Sequence, residues 1–443
     1  MMFQHTASDL SDVVARTLAL AKAKGAQAAE AAVSESVGLS VQVRLGETDQ
    51  IEHRQDKSLD LTVYLGQSKG RASTADFSEQ ALSGTVQAAL DIARYTAQDP
   101  YAGLADADLM ATDTPDLDKY HEWDVGSAQA LELATNCEAA ALNFDARIGN
   151  SEGANVQSSH SQFAYGNSHG FLRHQQVSHH SIFCSVLAED AGGMERDYWF
   201  DMSCDAAELQ AADAIGRTAA ERTVARLGAR SVPTGSYPVL FDHTVAGSLI
   251  GHLVGALSGS ALYRHSSFLC DSIGSRIFPD FVNLREEPHL PRRFGSTYFD
   301  SEGVATAPRF VIEEGSVRGY FLGSYSARKL GMQTTANAGG AHNLVLGATC
   351  AGREDLLRQM GSGLLITELM GQGVNTLTGD YSRGAAGFWV ENGVIAYPVS
   401  GITVAGRLQE MFAAIEGIAD DALPRAGNRV GSILVGKMTV AGS

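Results

Sequence analysis

The 443-residue sequence predicts an α+β fold. An N-terminal antiparallel-sheet-plus-helices region over 1–229 is followed by a strand-rich C-terminal region over 230–443. Three observations lead there. Apolar and polar residues alternate in "GLSVQVRL" (38–45) and "KSLDLTVYL" (57–65), the period of half-buried strands. Segments of helical apolar spacing flank these strands. The texture then changes at "RSVPTGSYP" (230–238), beyond which Gly-rich turns punctuate short strands.

The N-terminal region divides into segments of about 8–98 and 120–228. A helix runs from a cap at Ser8 or Asp9 to about Lys24, where Gly25 ends it. The two alternating strands follow, then a second helix over 78–95. Residues 99–126 are rich in Asp, Pro and Gly and read as a connection over the surface. A third helix spans 127–143. Two or three strands fill 158–190 with a turn at "GNSHG" (166–170), and a helix over 205–228 ends at Gly228. Beyond the boundary, helices are expected at 243–258, 353–360 and 407–418. "GFWVENGVIAYPV" (387–399) is a hairpin signal, because Asn392-Gly393 suits a type I′ turn.

Composition narrows the class of function. Lys and Arg number 33 against 51 Asp and Glu, a net charge of −18. Such a chain lacks the clustered cations that phosphate backbones require, so nucleic acid is excluded as a partner. The acidity also disfavours anionic membrane surfaces, and the apolar run 239–257 is broken by Asp242 and His243. Five scattered cysteines without a C-x-x-C pair suit a reducing compartment. The expectation is a cytoplasmic protein.

No catalytic constellation is self-evident. Five histidines crowd 160–180: His160, His169, His174, His179 and His180. Adjacent strand residues point to opposite faces, so His179 and His180 do not readily grip one ion, and no zinc-type Cys/His spacing appears. "HEW" (121–123) begins like H-E-x-x-H, but Val125 stands where the second His belongs. His243 and His252 are nine residues apart and fall on opposite sides of a helix. No G-x-S-x-G elbow occurs, and neither "GSG" (361–363) nor "GQG" (371–373) continues into a phosphate-binding Lys-Ser/Thr.

Longer phrases are more specific. They are "SSFLCDSIGSRIFPD" (266–280), "YSARKLGMQTTANAGGAHNL" (325–344), "ITELMGQGVNTLTGDYSRGAAGFWVENGVIAYPV" (366–399), "ITVAGRLQEMF" (402–412) and "GSILVGKMTVAG" (431–442). Together they resemble the PmbA/TldE branch of the TldD/PmbA family, over essentially the whole chain and more weakly in the first half. The resemblance implies a barrel-like C-terminal domain and a heterodimer of a TldD-type and a TldE-type subunit. TldD-type chains carry H-E-x-x-x-H on a helix plus a later Cys. These bind zinc, whose activated water hydrolyses peptides.

Laid over "LIGHLVGALSG" (249–259), that motif falls on Gly251, His252 and Ala256. All three catalytic letters are replaced, and no Cys follows Cys350. The resemblance therefore implies a non-catalytic subunit. This chain would hold no cofactor, zinc would reside in the TldD-type partner, and unfolded peptide would be the substrate. Positions i and i+5 lie about 140° apart on a regular helix, so H-E-x-x-x-H needs a local distortion that this chain does not. A regular helix is expected here. Asn337, His342, Asn343, Asp380 and Arg383 are the candidate peptide or partner contacts; the simpler expectation is turn glycines and an Asp380–Arg383 ion pair. Two alternatives stay open. One is an independent metallopeptidase using the 160–180 histidines, and the other is a regulatory homodimeric binding protein; a homodimer is also open to the chain when alone.

Overall fold

Thr6, rather than Ser8 or Asp9, caps the first helix. Its hydroxyl accepts the Asp9 N–H at 3.2 Å while the Asp9 carboxylate accepts the Thr6 N–H at 2.7 Å, a reciprocal capping box. In this computed structural model, which describes residues 3–423 and 427–442, the N-terminal region contains α1 (Ala7–Ala23), β1 (Ala28–Arg44), β2 (Glu47–Leu65), β3 (Ser68–Thr74), α2 (Glu79–Tyr95), α3 (Ser127–Leu142), β4 (Ile148–Asn167), β5 (Leu172–Asp190), β6 (Gly193–Ser203) and α4 (Ala212–Ala225). The strands form one sheet in the order β3-β2-β1-β4-β5-β6, antiparallel throughout.

The strands are far longer than the alternating phrases. β1 and β2 meet at a two-residue turn where Leu45 and Gly46 both take positive φ (52° and 78°), the geometry that matches strand twist. The expected helix over 205–228 is shorter. Ser203 and Asp205 divert the backbone N–H groups of 205 and 207 into a 3₁₀ turn at Ala206–Glu208, and α4 begins only at Ala212.

All four helices cover one sheet face, in two pairs. Val14, Leu82 and Val86 pack on Val33, Leu59 and Leu61, while Ala134, Cys137 and Ile215 pack on Val41, Val156 and Cys184. Between these two apolar patches runs a polar seam. Glu35 accepts the Gln4 and His5 N–H groups at 2.6 and 3.2 Å and the Gln162 amide at 3.1 Å. His180 Nε2 donates to the His121 carbonyl at 2.9 Å, which leaves Nδ1 to accept from Ser158 Oγ at 3.0 Å. His160 is buried beside His180 and Tyr120. The crowded histidines thus spread over this seam: His160 and His180 face the helices, while His179 lies on the opposite face against Phe294. His169 binds the Ala105 carbonyl elsewhere.

The C-terminal region contains β7 (Gly235–Phe241), α5 (His243–Ala256), α6 (Gly259–Tyr263), β8 (Leu284–Glu286), β9 (Arg309–Glu313), β10 (Ser316–Val317), α7 (Ser324–Leu330), β11 (Leu344–Leu346), α8 (Arg353–Met360), β12 (Gly363–Met370), β13 (Asp380–Glu391), β14 (Val394–Arg407), α9 (Leu408–Ala413), β15 (Ile415–Ile418) and β16 (Ile433–Ala441). Strands β14-β13-β12-β7-β16 close into a barrel through a β14–β16 pairing, and β15 lies along β16. Asn392 and Gly393 form the predicted turn with φ of 53° and 76°. The helix expected over 407–418 stops at Ala413, because Ile415, Gly417 and Ile418 pair with β16 instead. The expected 243–258 helix divides at Ser258, whose hydroxyl caps α6. A four-stranded sheet, β10-β9-β8-β11, packs beside the barrel.

The two regions interlock. Glu368 on β12 meets Arg226 at 2.5 Å and Arg196 at 3.7 Å, and Tyr325 on α7 donates to Asp99 at 2.7 Å. Arg328 binds the carbonyls of Gly103 and Leu104, anchoring the 99–126 connection to the C-terminal region.

Candidate functional site

Asp242 begins α5, the helix that carries the replaced motif. Its carboxylate accepts the Thr244 N–H at 3.0 Å and pairs with Arg353 at 2.8 Å. Burial pushes the Asp242 pKa up, but the His243 charge, the Thr244 N–H and Arg353 outweigh it and hold the carboxyl below its ordinary range. Ala246, Leu249, Ile250, Leu253 and Ala256 form the buried face against the barrel. Gly247, Gly251 and Gly255 lie at i, i+4 and i+8 on the other side, and a Cβ at any of them would meet nothing within 4 Å.

The helix is α-helical throughout, without a π-type interruption. Gly251 is therefore exposed while Ala256 is fully buried, and the two positions do not converge. Neither has a donor atom. The zinc that the family resemblance implies for catalytic chains does not fit the residues that stand at these positions. Among the described residues, no group of three or more His, Cys, Asp or Glu side chains is placed to share a metal ion.

His252 turns its ring edge-on to Tyr381 at a centroid distance of 5.9 Å. Burial first, then the Arg383 charge, lowers the His252 pKa, so the ring is neutral at pH 7. Burial pushes the Tyr381 phenol up to about 12, with Arg383 opposing. Arg383 itself donates to the carbonyls of Gly371 at 3.0 Å and Leu369 at 3.4 Å. Asp380 instead accepts from Thr378 at 2.6 Å, with Arg407 3.9 Å away. The expected Asp380–Arg383 ion pair does not form, because residues three apart on a strand point to opposite faces.

Asn337, His342 and Asn343 belong to a second cluster, built around a buried carboxylate. Glu286 is 1% exposed and pairs with Arg309 at 2.7 Å. The Asn337 amide donates to Glu286 at 2.7 Å, and the His342 N–H donates to the same oxygen at 2.8 Å. Asn337 Oδ1 accepts from Arg309 at 3.1 Å and from Thr335 at 2.7 Å. Asn343 lies fully buried and donates to the Glu287 carbonyl and Ser296 Oγ. These three residues thus hold the 334–344 loop on the four-stranded sheet.

That loop separates two cavities. One, of about 410 Å³, is bounded by Phe163, Tyr165, Phe299, Asp300 and His342. Burial pushes Asp300 up to about 7, helped by the Glu302 charge and opposed by three backbone N–H groups. The other, of about 370 Å³, is bounded by Val254 at the end of α5, Ser258, Tyr263, Glu302 and Asn337. Val254 of α5 and the glycine loop therefore border a shared space, while Asp380 and Arg383 lie on β13. Sequence reasoning missed Glu286, Arg309, Asp300 and Glu302. No local spacing marks them, since Glu286 and Arg309 meet only through strand pairing.

Comparison with known proteins places this geometry in a family. Models of the PmbA/TldA metallopeptidase match in three blocks: domain 1 over residues 29–93, the central domain over 120–227 and the C-terminal domain over 234–442. Metalloprotease PmbA of Escherichia coli O157:H7 is 47% identical over 433 residues, covering 98% of this chain and 96% of that protein. A crystal structure from Bacteroides thetaiotaomicron, of a protein named as a candidate modulator of DNA gyrase, superposes with a TM-score of 0.93 at 27% identity, covering 98% of each chain. TldE of Thermococcus kodakarensis shares the fold, with a TM-score of 0.82 at 19% identity over 97% of this chain and all of that one. On the matched domains and the full-length identity, the chain belongs to the PmbA/TldD metallopeptidase family.

Proposed function

We propose that this chain is the non-catalytic, TldE-type subunit of a heterodimeric zinc metallopeptidase that degrades or processes unfolded peptides in the cytoplasm. The observation that carries the reading is the pair Gly251 and Ala256. They lack donor atoms, and one is exposed while the other is buried, where a catalytic chain needs two converging histidines. His252 cannot act as the base of a metal-bound water that no ligand set holds. What α5 offers instead is a bare helix face: three glycines with open space where a Cβ would stand, on the helix whose Val254 borders the cavity shared with Asn337. Backbone at this face is accessible to a partner or to an extended peptide. The zinc and the hydrolytic water would come from a TldD-type chain.

The test is reconstitution. The purified chain should hydrolyse no unfolded peptide and carry no stoichiometric zinc; adding a chain with H-E-x-x-x-H should give hydrolysis and a stable complex. Peptide hydrolysis by this chain alone, with zinc at one equivalent, would overturn the reading.

A further inference from the structure

The helix-free face of the six-stranded sheet does not close fully on the C-terminal region. Phe163 and Tyr165 flank Ala164, which packs under the helices, so by alternation they point the other way. Gln175 stands directly opposite Phe163. These side chains and the 294–301 and 338–342 segments enclose the cavity of about 410 Å³. Two charged residues border it, and neither has a counter-ion. Lys119, from the 99–126 connection, donates to the carbonyls of Phe294 and Ser296, which border the cavity too, and it pairs with no carboxylate among the described residues. Asp300 is 3% exposed and accepts only backbone N–H groups: Oδ1 from Glu302 and Val304, Oδ2 from Ala338. Burial pushes the Lys119 amine down and the Asp300 carboxyl up, so each charge is costly where it stands.

Counting donors and acceptors says what would relieve both. An ammonium has three N–H groups, and two are used. A carboxylate has about four acceptor sites, and three are used. One donor and one acceptor remain, on the same cavity. We propose that this cavity binds a short peptide with both ends free, of one to three residues, its carboxylate on Lys119 and its α-ammonium on Asp300. A simple anion or cation would satisfy one group and leave the other buried and uncompensated; a zwitterion satisfies both. The Glu302 charge beside Asp300 adds to the attraction for the amine. Phe163 and Phe299, whose rings meet at 6.3 Å, offer an apolar wall to a side chain. Length is limited by the site itself. Only four residues of chain separate Ser296 from Asp300, at most about 14 Å when extended, and the volume is that of a small-ligand pocket. The inference rests on this cavity alone. It does not require a TldD-type partner, so it fails or survives separately from the subunit reading.

Calorimetric titration of the full-length chain with the dipeptide Ala-Phe is the test. Ala-Phe should bind at one site per chain. N-acetyl-Ala-Phe and Ala-Phe-amide each lack one charge and should bind about tenfold more weakly or worse, the scale of one charge-assisted hydrogen bond. These blocked peptides probe the wild-type chain, so the result does not hinge on how a variant folds. Two variants then assign the ends. In Lys119→Met the penalty for amidation should vanish while that for acetylation stays; in Asp300→Asn the reverse is expected. No binding of Ala-Phe at millimolar concentration would overturn the proposal. So would blocked peptides that bind as tightly as Ala-Phe, or a folded Lys119→Met chain that keeps the amidation penalty.

Discussion

Val254 of α5 and Asn337 of the Glu286 cluster border one cavity, yet the outward face of that helix and the cluster are built in opposite ways. Around Glu286 three donors converge on one carboxylate, and Asn337 engages four groups at once. On α5 the positions that would carry chemistry are Gly251 and Ala256, and the glycines have nothing within 4 Å of where a Cβ would stand. One region is over-determined by its partners; the other is held only through its buried face. The contrast teaches that a family scaffold keeps its shape through buried polar networks and barrel packing. Along α5 the three positions divide: Gly251 stands on the open side, His252 packs on Tyr381 and Ala256 belongs to the buried face.

The comparison breaks first at Arg309. Arg309→Ala leaves Glu286 buried with Asn337 and His342 as its remaining donors. Removing one partner of a buried pair costs about 3–5 kcal/mol, and the two surviving hydrogen bonds place this case at the lower end. Urea denaturation of the isolated chain should show a loss of about 3 kcal/mol. A loss below about 0.5 kcal/mol, the scale of an ordinary surface change, would mean that the loop does not depend on the pair.

The opposite sign is expected on α5. An exposed glycine inside a helix costs about 0.5–1 kcal/mol relative to alanine, mostly in backbone entropy. Gly251→Ala should therefore stabilise the isolated chain by about that amount, since the added methyl meets open space. In the reconstituted complex, Gly251→Leu should lower peptidase activity if the bare face meets the partner or peptide. Full activity with the bulkier side chain would detach this face from function.

Legibility in the sequence follows the same divide. The replaced motif was readable because it is local: three letters within one helix turn and a half. The Asn392–Gly393 hairpin was readable for the same reason. The Glu286–Arg309 pair was not, because strand pairing brings together residues that share no motif. β1 was only half visible, since Ala28 to Ser36 packs small residues against α1 and α2 and shows little hydrophobic contrast. The 407–418 helix is shorter than its pattern suggests because Ile415 and Ile418 fit an apolar helical face as well as they fit an edge strand. Asp380 and Arg383 are close in sequence, but the strand period sends their side chains to different partners.

The smallest expected effect concerns His252, the half-buried ring on α5 that packs edge-on against Tyr381. Its pKa in the folded chain lies below the ordinary 6.5, through burial and the Arg383 charge. Between that lowered value and 6.5 the unfolded chain binds more protons than the folded one. Stability must then fall as pH drops below about 6.5 and through the folded value, and it is fully present above 6.5. His252→Phe keeps an aromatic ring against Tyr381 and removes the titration. Its thermal midpoint should fall less than wild type's between pH 7 and pH 5. The residual slope belongs to the seam histidines: burial, with His180 adding, pushes His160 down to about 4. If the variant and wild type lose stability in parallel, His252 is free to take up its proton.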